Sequence, residues 1–199
     1  MTANNPLLQD FDLPPYSQIK PEHVEPAVDQ ILADSRAAIA KLLEAQQANP
    51  SWDGLVLALD ELGARLGRAW SPVSHLNSVC NSSELRAAYE ACLPKLSEYW
   101  TEMGQNKPLF QAYEALAQSP AAADFDVAQK TILEHALRDF RLSGIDLPAE
   151  QQKRYGEIQM RLSELTSKFS NQLLDATQAW TKHVTDEALL SGLTDSAKA

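Results

Sequence analysis

Glycine is scarce in this chain, with seven among 199 residues, and cysteine is scarcer, with two. So few glycines disfavour a fold rich in tight turns, and because the seven are scattered they form no glycine-rich phosphate loop. Cys80 and Cys92 make no disulfide framework, so a reducing cytoplasm is the default expectation. Nothing approaches 18 consecutive apolar residues, and no transmembrane helix is expected. Residues 1–16 are polar and proline-containing, with neither a basic start nor an apolar run of signal-peptide length, so no targeting segment is expected. Positive charge is also in deficit. A net charge of −10 and a pI near 4.8 argue against a nucleic-acid backbone or an anionic membrane as the main partner, leaving room only for a local basic pocket.

What is present favours helices. Apolar residues make up 44% of the chain, enough for a sizeable core, and alanine, leucine, glutamate and glutamine are plentiful. The length fits one domain, with extensions. The organising stretch is residues 148–184, opened by Pro148 at a position where no backbone N–H is needed. Its apolar residues recur as Tyr155, Ile158, Leu162, Leu165, Phe169, Leu173, Ala176, Trp180 and Val184, steps of three and four that fall on one stripe of a helix. About 37 residues at 1.5 Å each predict a rod of roughly 55 Å. Shorter helices are expected to pack along that stripe.

The rest of the chain supplies candidates. Residues 1–20 read as an extended arm anchored by Leu7, Leu8, Phe11, Leu13 and Ile19, with Pro14-Pro15 keeping it out of a helix. Pro21 opens a first helix running to about Gln47, with Val24, Val28, Ile31, Leu32, Ile39, Leu42 and Leu43 on its apolar face. Ser51 is the N-cap of a second, which is expected to continue with a kink through Pro72 to Val79. Asn81-Ser82-Ser83 turns into a third helix carrying Leu85, Tyr89, Cys92, Leu96, Tyr99, Trp100 and Met103, bent at Pro94. Asn106 caps a short fourth, and residues 117–123 are a small-residue linker. A fifth starts at Asp124 or Asp126, carries Val127, Ile132, Leu133, Ala136, Leu137 and Phe140, and ends at Gly144. No stretch alternates convincingly as a strand. The expectation is all-α: a multi-helix bundle of antiparallel helices with one very long C-terminal helix. Past residue 184 comes a short turn closing at Gly192, then Thr194 as an N-cap with about one helical turn behind it. One turn is too short to be stable. It is either a frayed tail or the start of a truncated continuation.

Candidate chemistry is thin. His23, His75, His135 and His183 sit on different helices or helix ends. His135 and Asp139 have the i, i+4 spacing of two metal ligands, but a zinc-protease helix reads His-Glu-x-x-His, and here Glu134 precedes the histidine and no second histidine follows. The simpler reading is a half-exposed helical histidine bridged to a carboxylate. His75 with Cys80 and Cys92 fits no zinc module, and buried thiols beside a polar histidine are the plainer account. Ser71, Ser74 and Ser78 near His75 lack an orienting acid and an oxyanion hole. The cluster Arg138, Asp139, Phe140 and Arg141 reads as a solvated face, with inter-helix salt bridges as the second option. Trp52, Trp70, Trp100 and Trp180 recur on apolar seams and read as core rather than a ligand cage. No catalytic, cofactor-binding or metal residue is assigned to this chain.

Several stretches carry a resemblance. Residues 71–79, Ser-Pro-Val-Ser-His-Leu-Asn-Ser-Val, are followed by Glu84-Leu85-Arg86 and Tyr89-Glu90. Leu137-Arg138-Asp139-Phe140, then Leu142-Ser143-Gly144-Ile145, lead into Arg154-Tyr155-Gly156-Glu157-Ile158. Arg161-Leu162-Ser163-Glu164-Leu165, Phe169-Ser170-Asn171 and Asp175-Ala176-Thr177 follow, and the opening has Asn5-Pro6-Leu7-Leu8, Leu13-Pro14-Pro15 and residues 19–24. Together they resemble the N-terminal region of the oligopeptidase A branch of the thimet-oligopeptidase family of zinc metallopeptidases, over essentially the whole chain. The resemblance implies a helical channel wall over residues 21–184, an arm over 1–20, and a continuation from 185–199 toward a catalytic domain. It implies a full-length cytoplasmic enzyme, the parent of this chain, that hydrolyses short unfolded peptides, including cleaved signal peptides. Zinc is implied in a later half bearing His-Glu-x-x-His, and none is expected on this chain. The chain alone is expected to be inactive, with a possible weak homodimer through the stripe of the long helix. A stand-alone helical binding or scaffold protein that lacks the catalytic half is the alternative.

Overall fold

The structure, a computed structural model, describes residues 5–47 and 49–198; the first four residues of the expected arm lie outside them. The described residues form seven α-helices and no strand, the all-α architecture expected. They are α1 (Pro21–Gln46), α2 (Ala58–Val79), α3 (Ser83–Gly104), α4 (Lys107–Ala117), α5 (Val127–Leu142), α6 (Ala149–Ala179) and the single turn α7 (Asp195–Lys198). By compactness the chain divides into two units, residues 1–164 and 165–199, and α6 runs from one into the other.

Within the first unit α1 is the shared element of two cores. Its N-terminal two-thirds contributes Val24, Ala27, Val28, Ile31 and Leu32 to a core completed by Leu66, Ala69 and Val73 of α2, by Leu85, Cys92, Leu96 and Tyr99 of α3, and by Leu7 of the arm. Its last turns send Leu42 and Leu43 onto a second core of Leu55, Val56, Leu109, Phe110, Tyr113, Leu116, Leu133, Phe140 and Ile145. One helix of 26 residues therefore ties the α1–α2–α3 bundle to the α4–α5 hairpin. Ion pairs run along its outer edges. Lys95 reaches Glu25 at 2.8 Å and Asp29 at 2.6 Å, Arg36 meets Glu102 at 2.7 Å, and Arg65 meets Asp34 at 2.9 Å. These pairs are partly exposed and contribute little energy individually. Their value is in fixing register between helices whose apolar faces would tolerate sliding.

Caps explain where the helices begin. Ser82 Oγ accepts from the Leu85 N–H at 3.1 Å, and Asn106 Oδ1 accepts from the Leu109 N–H at 3.0 Å. Asp126, one of two expected starts for α5, forms a reciprocal box: its carboxylate accepts from the Gln129 N–H at 2.7 Å, and Gln129 Oε1 accepts from the Asp126 N–H at 3.0 Å. Ser51 caps as expected, accepting from the Gly54 N–H at 3.1 Å, but the turn it opens (Trp52–Leu57) is a π-helix that passes into α2. Pro72 and Pro94 both lie inside helices that continue through them.

Several expectations are corrected. The arm is not uniformly extended: Pro6–Leu8 and Tyr16–Gln18 are 3-10 turns, and Leu13 points to solvent. Trp100 and Trp180 are exposed, as are Val79, Val127 and Ile132, so these five are not core. The long helix ends at Ala179, short of the expected Val184. The largest correction concerns its surroundings. No residue of α6 is buried, and Ile158, Leu162, Leu165, Phe169 and Leu173 are all exposed, so the stripe is not the buried seam expected. Periodicity identifies an apolar face without saying whether its cover lies in the same chain.

Candidate functional site

The histidines lie on separate elements. His23 lies in the first turn of α1, His75 on α2, His135 on α5, and His183 beyond the end of α6. Among the described residues no group of three or more histidine, cysteine, aspartate or glutamate side chains is placed to hold a metal.

Each candidate has a specific local role instead. His23 Nδ1 accepts from the Lys20 backbone N–H at 3.2 Å, while its carbonyl accepts from the amide of buried Asn5 at 2.7 Å. Asn5 Oδ1 in turn accepts from the Leu7 N–H at 3.0 Å. The two residues latch the arm to the start of α1, a role that the sequence did not disclose because their separation of 18 residues belongs to no local motif. His75 is exposed and lies 5.5 Å from the ring of Tyr16, a second contact between arm and helix. Cys92 is fully buried in the first core, and burial pushes its thiol up to about 12; Cys80 is exposed at the end of α2. The plainer account of buried thiols thus holds for Cys92 and fails for Cys80. Ser78 Oγ donates back to the Ser74 carbonyl at 3.0 Å, as helical serines do when they have no catalytic partner.

His135 is not bridged to Asp139, correcting the simple reading of that pair. Asp139 accepts from Arg138 Nη2 at 2.8 Å. The neighbouring residues diverge: Phe140 is buried, edge-on to Phe110 and tilted against Tyr113, and Arg141 lies 5.6 Å over the Phe110 ring and 3.8 Å from Glu114 of α4. Of the tryptophans, Trp52 packs edge-on to Phe125 and Trp70 stacks on Tyr89 at 4.8 Å, both partly buried. Next to the last turns of α1 a groove of about 530 Å³ is bounded by Leu43, Gln46, Gln47, Pro50, Gln111 and Ala115. Glu44 is the one ionisable side chain among its lining residues.

Comparison with known proteins gives the chain a family. The family model described as the neurolysin/thimet oligopeptidase N-terminal domain matches residues 28–152, which include most of α1, all of α2 to α5 and the first turn of α6. The chain belongs to this family. It is 55% identical to oligopeptidase A of Haemophilus influenzae over 99% of its own length, and 54% identical to oligopeptidase A of Escherichia coli over 98%. A probable cytosolic oligopeptidase A of Arabidopsis thaliana is 34% identical over 98% of the chain. The chain spans only 28–29% of these relatives, matching their N-terminal part. Membership accounts for the all-α architecture of the described residues. No helix among those residues is long and apolar enough to cross a membrane.

Proposed function

We propose that this chain is the N-terminal helical wall of an oligopeptidase A-like metallo-oligopeptidase, a cytoplasmic enzyme that hydrolyses short peptides, including cleaved signal peptides. Under this reading residues 21–184 form the wall, residues 1–20 an arm across it, and residues 185–199 lead toward the catalytic domain. A zinc ion and the groups that act on the scissile bond belong to the remainder of the whole protein, and this chain supplies shape and support. The observation that carries the reading is 55% identity to an oligopeptidase A across nearly the entire chain, confined to under a third of that protein. The scattered histidines, each engaged in capping, packing or exposed on its own element, are consistent with it.

The test is a chimera in which residues 1–199 replace the matching N-terminal part of the Escherichia coli relative. The chimera should cleave a quenched-fluorescence oligopeptide within about tenfold of that relative's rate. The isolated chain should give no turnover and well under one zinc per chain by metal analysis. A folded chimera without activity, or chelator-sensitive turnover by the isolated chain, would overturn the reading. A stand-alone helical scaffold would behave in the first of these ways. Separated from its catalytic partner, the chain should also associate weakly with itself at high salt, through the uncovered stripe of α6.

A further inference from the structure

Along α1 the carboxylates that meet α2 and α3 are paired: Glu25 and Asp29 hold Lys95, and Asp34 holds Arg65. Glu44, near the end of the same helix, makes no ion pair among the described residues. It lies in the groove of about 530 Å³ beside the last turns of α1. The side-chain amides of Gln47 and Gln111 line the same groove, and neither makes a hydrogen bond among the described residues. Gln46 differs, because its Oε1 accepts from the Ser51 N–H at 2.8 Å and is engaged with the loop that follows α1. Leu43 and Ala115 add apolar surface, and Pro50 and Pro108 line the groove without an N–H to offer.

These groups fit one ligand chemistry. A carboxamide carries both donors and an acceptor, as a peptide bond carries one of each, so two of them can pair with an extended backbone. A single carboxylate beside apolar surface suits a lysine or arginine, whose stem packs on hydrocarbon while its head meets the charge. No cationic residue is among those lining the groove, and the chain's net charge of −10 favours a cationic ligand over an anionic one. The volume falls in the range of about 300–1,000 Å³ that small-ligand sites occupy. We propose that the groove binds a short extended peptide segment carrying one lysine or arginine, with Glu44 taking the cation and Gln47 and Gln111 the backbone. The inference deepens the proposed function by naming a class of peptide, and it rests on that reading for the choice of a peptide as ligand.

Amide chemical shifts of the isotope-labelled chain test it with two blocked tripeptides, N-acetyl-Ala-Lys-Ala-amide and its Ala-Gln-Ala counterpart. The lysine peptide at millimolar concentration should shift resonances within residues 43–47 and 111–115. It should bind about threefold more tightly than the glutamine peptide, and that preference should fade in 1 M salt. Glu44→Gln should erase the preference, and Ala115→Arg, which places a bulky cation in the groove, should abolish the shifts. Both positions are exposed, so an unchanged amide spectrum elsewhere verifies that each variant is folded. Equal binding of the two peptides, a preference that survives Glu44→Gln, shifts confined to other surfaces, or no shifts at all would each overturn the inference. Because binding is read on the chain without a catalytic part, groove binding beside an inactive chimera counts against the proposed function alone. An active chimera whose N-terminal chain shows no groove binding overturns only the inference.

Discussion

The Ile145 N–H donates to the carbonyl of Phe140 at 3.1 Å, and both side chains are buried in the same core. This bond spans the C-terminus of α5 and, with the Gly144 N–H donating to the Arg141 carbonyl at 3.0 Å, closes a Schellman motif. The motif requires a left-handed residue at Gly144, whose φ is +87°. An added Cβ there would also lie 2.8 Å from Leu147 Cδ1. Gly144→Ala should therefore destabilise the chain by about 1–3 kcal/mol. Gly63→Ala is the control: it lies inside α2 with open space around the new methyl, and should stabilise by about 0.5–1 kcal/mol. Urea midpoints of the two variants should move in opposite directions.

The two apolar environments should respond very differently to truncation. Leu116 is fully buried in the second core, so Leu116→Ala should cost about 2–5 kcal/mol through lost transfer energy and a cavity. Phe169 is 68% exposed and its truncation removes almost no buried surface. Phe169→Ala should fall within about 0.5 kcal/mol of the parent sequence in the isolated chain. Thermal unfolding of both variants decides this, and a large loss at Phe169 would mean that the stripe is covered within the chain.

Local signals were legible wherever the responsible groups lie within a few residues of each other. Ser82, Asn106, Asp126 and Gly144 mark helix ends because each serves an N–H or backbone turn beside it. Pro72 and Pro94 lie inside helices that continue through them, as the unbroken apolar period on either side had indicated. Long-range facts were not legible. The Asn5–His23 latch joins residues 18 apart, and the Trp100 ring is solvent-facing although it sits three or four residues from core positions Leu96 and Met103. The apolar period along α6 was visible, but the exposure of Ile158, Leu162, Leu165, Phe169 and Leu173 was not, because a hydrophobic period contains no information about what covers it. The same limit applied to the site: spacing alone allowed His135 and Asp139 to pair, and a neighbouring arginine took the carboxylate.

The two thiols should separate cleanly by reactivity. Cys80 is exposed, whereas Cys92 is fully buried with its thiol pushed up to about 12 by burial, only partly offset by Lys95. The thiolate is the reacting species, so Cys92 is shielded both sterically and by protonation. A disulfide exchange reagent at pH 8 should titrate one thiol per native chain and two in denaturant. Cys80→Ser should abolish the native signal, and Cys92→Ala should leave it in place.

The Asp34–Arg65 pair should couple α1 to α2 in a pH-dependent way. The Asp34 carboxyl is held below the usual carboxylate range, first by its hydrogen bond from Arg65 at 2.9 Å, then by that from Gln30 at 2.8 Å, with burial opposing both. A depressed folded-state value means that the pair adds stability above the unfolded carboxyl range near pH 4. That stability is lost as pH falls through the folded value, when protonation removes the charge. Each side chain is about two-fifths exposed, so solvent screening limits the coupling to about 0.2–1 kcal/mol. A double-mutant cycle of Asp34→Asn, Arg65→Gln and the combination isolates the coupling from other carboxylates that titrate in the same range. Urea midpoints should give a positive coupling at pH 7 that shrinks toward zero by pH 3 and weakens in 1 M salt. A coupling that persists undiminished at pH 3 would show that the pair acts through packing of the arginine stem rather than through the aspartate charge.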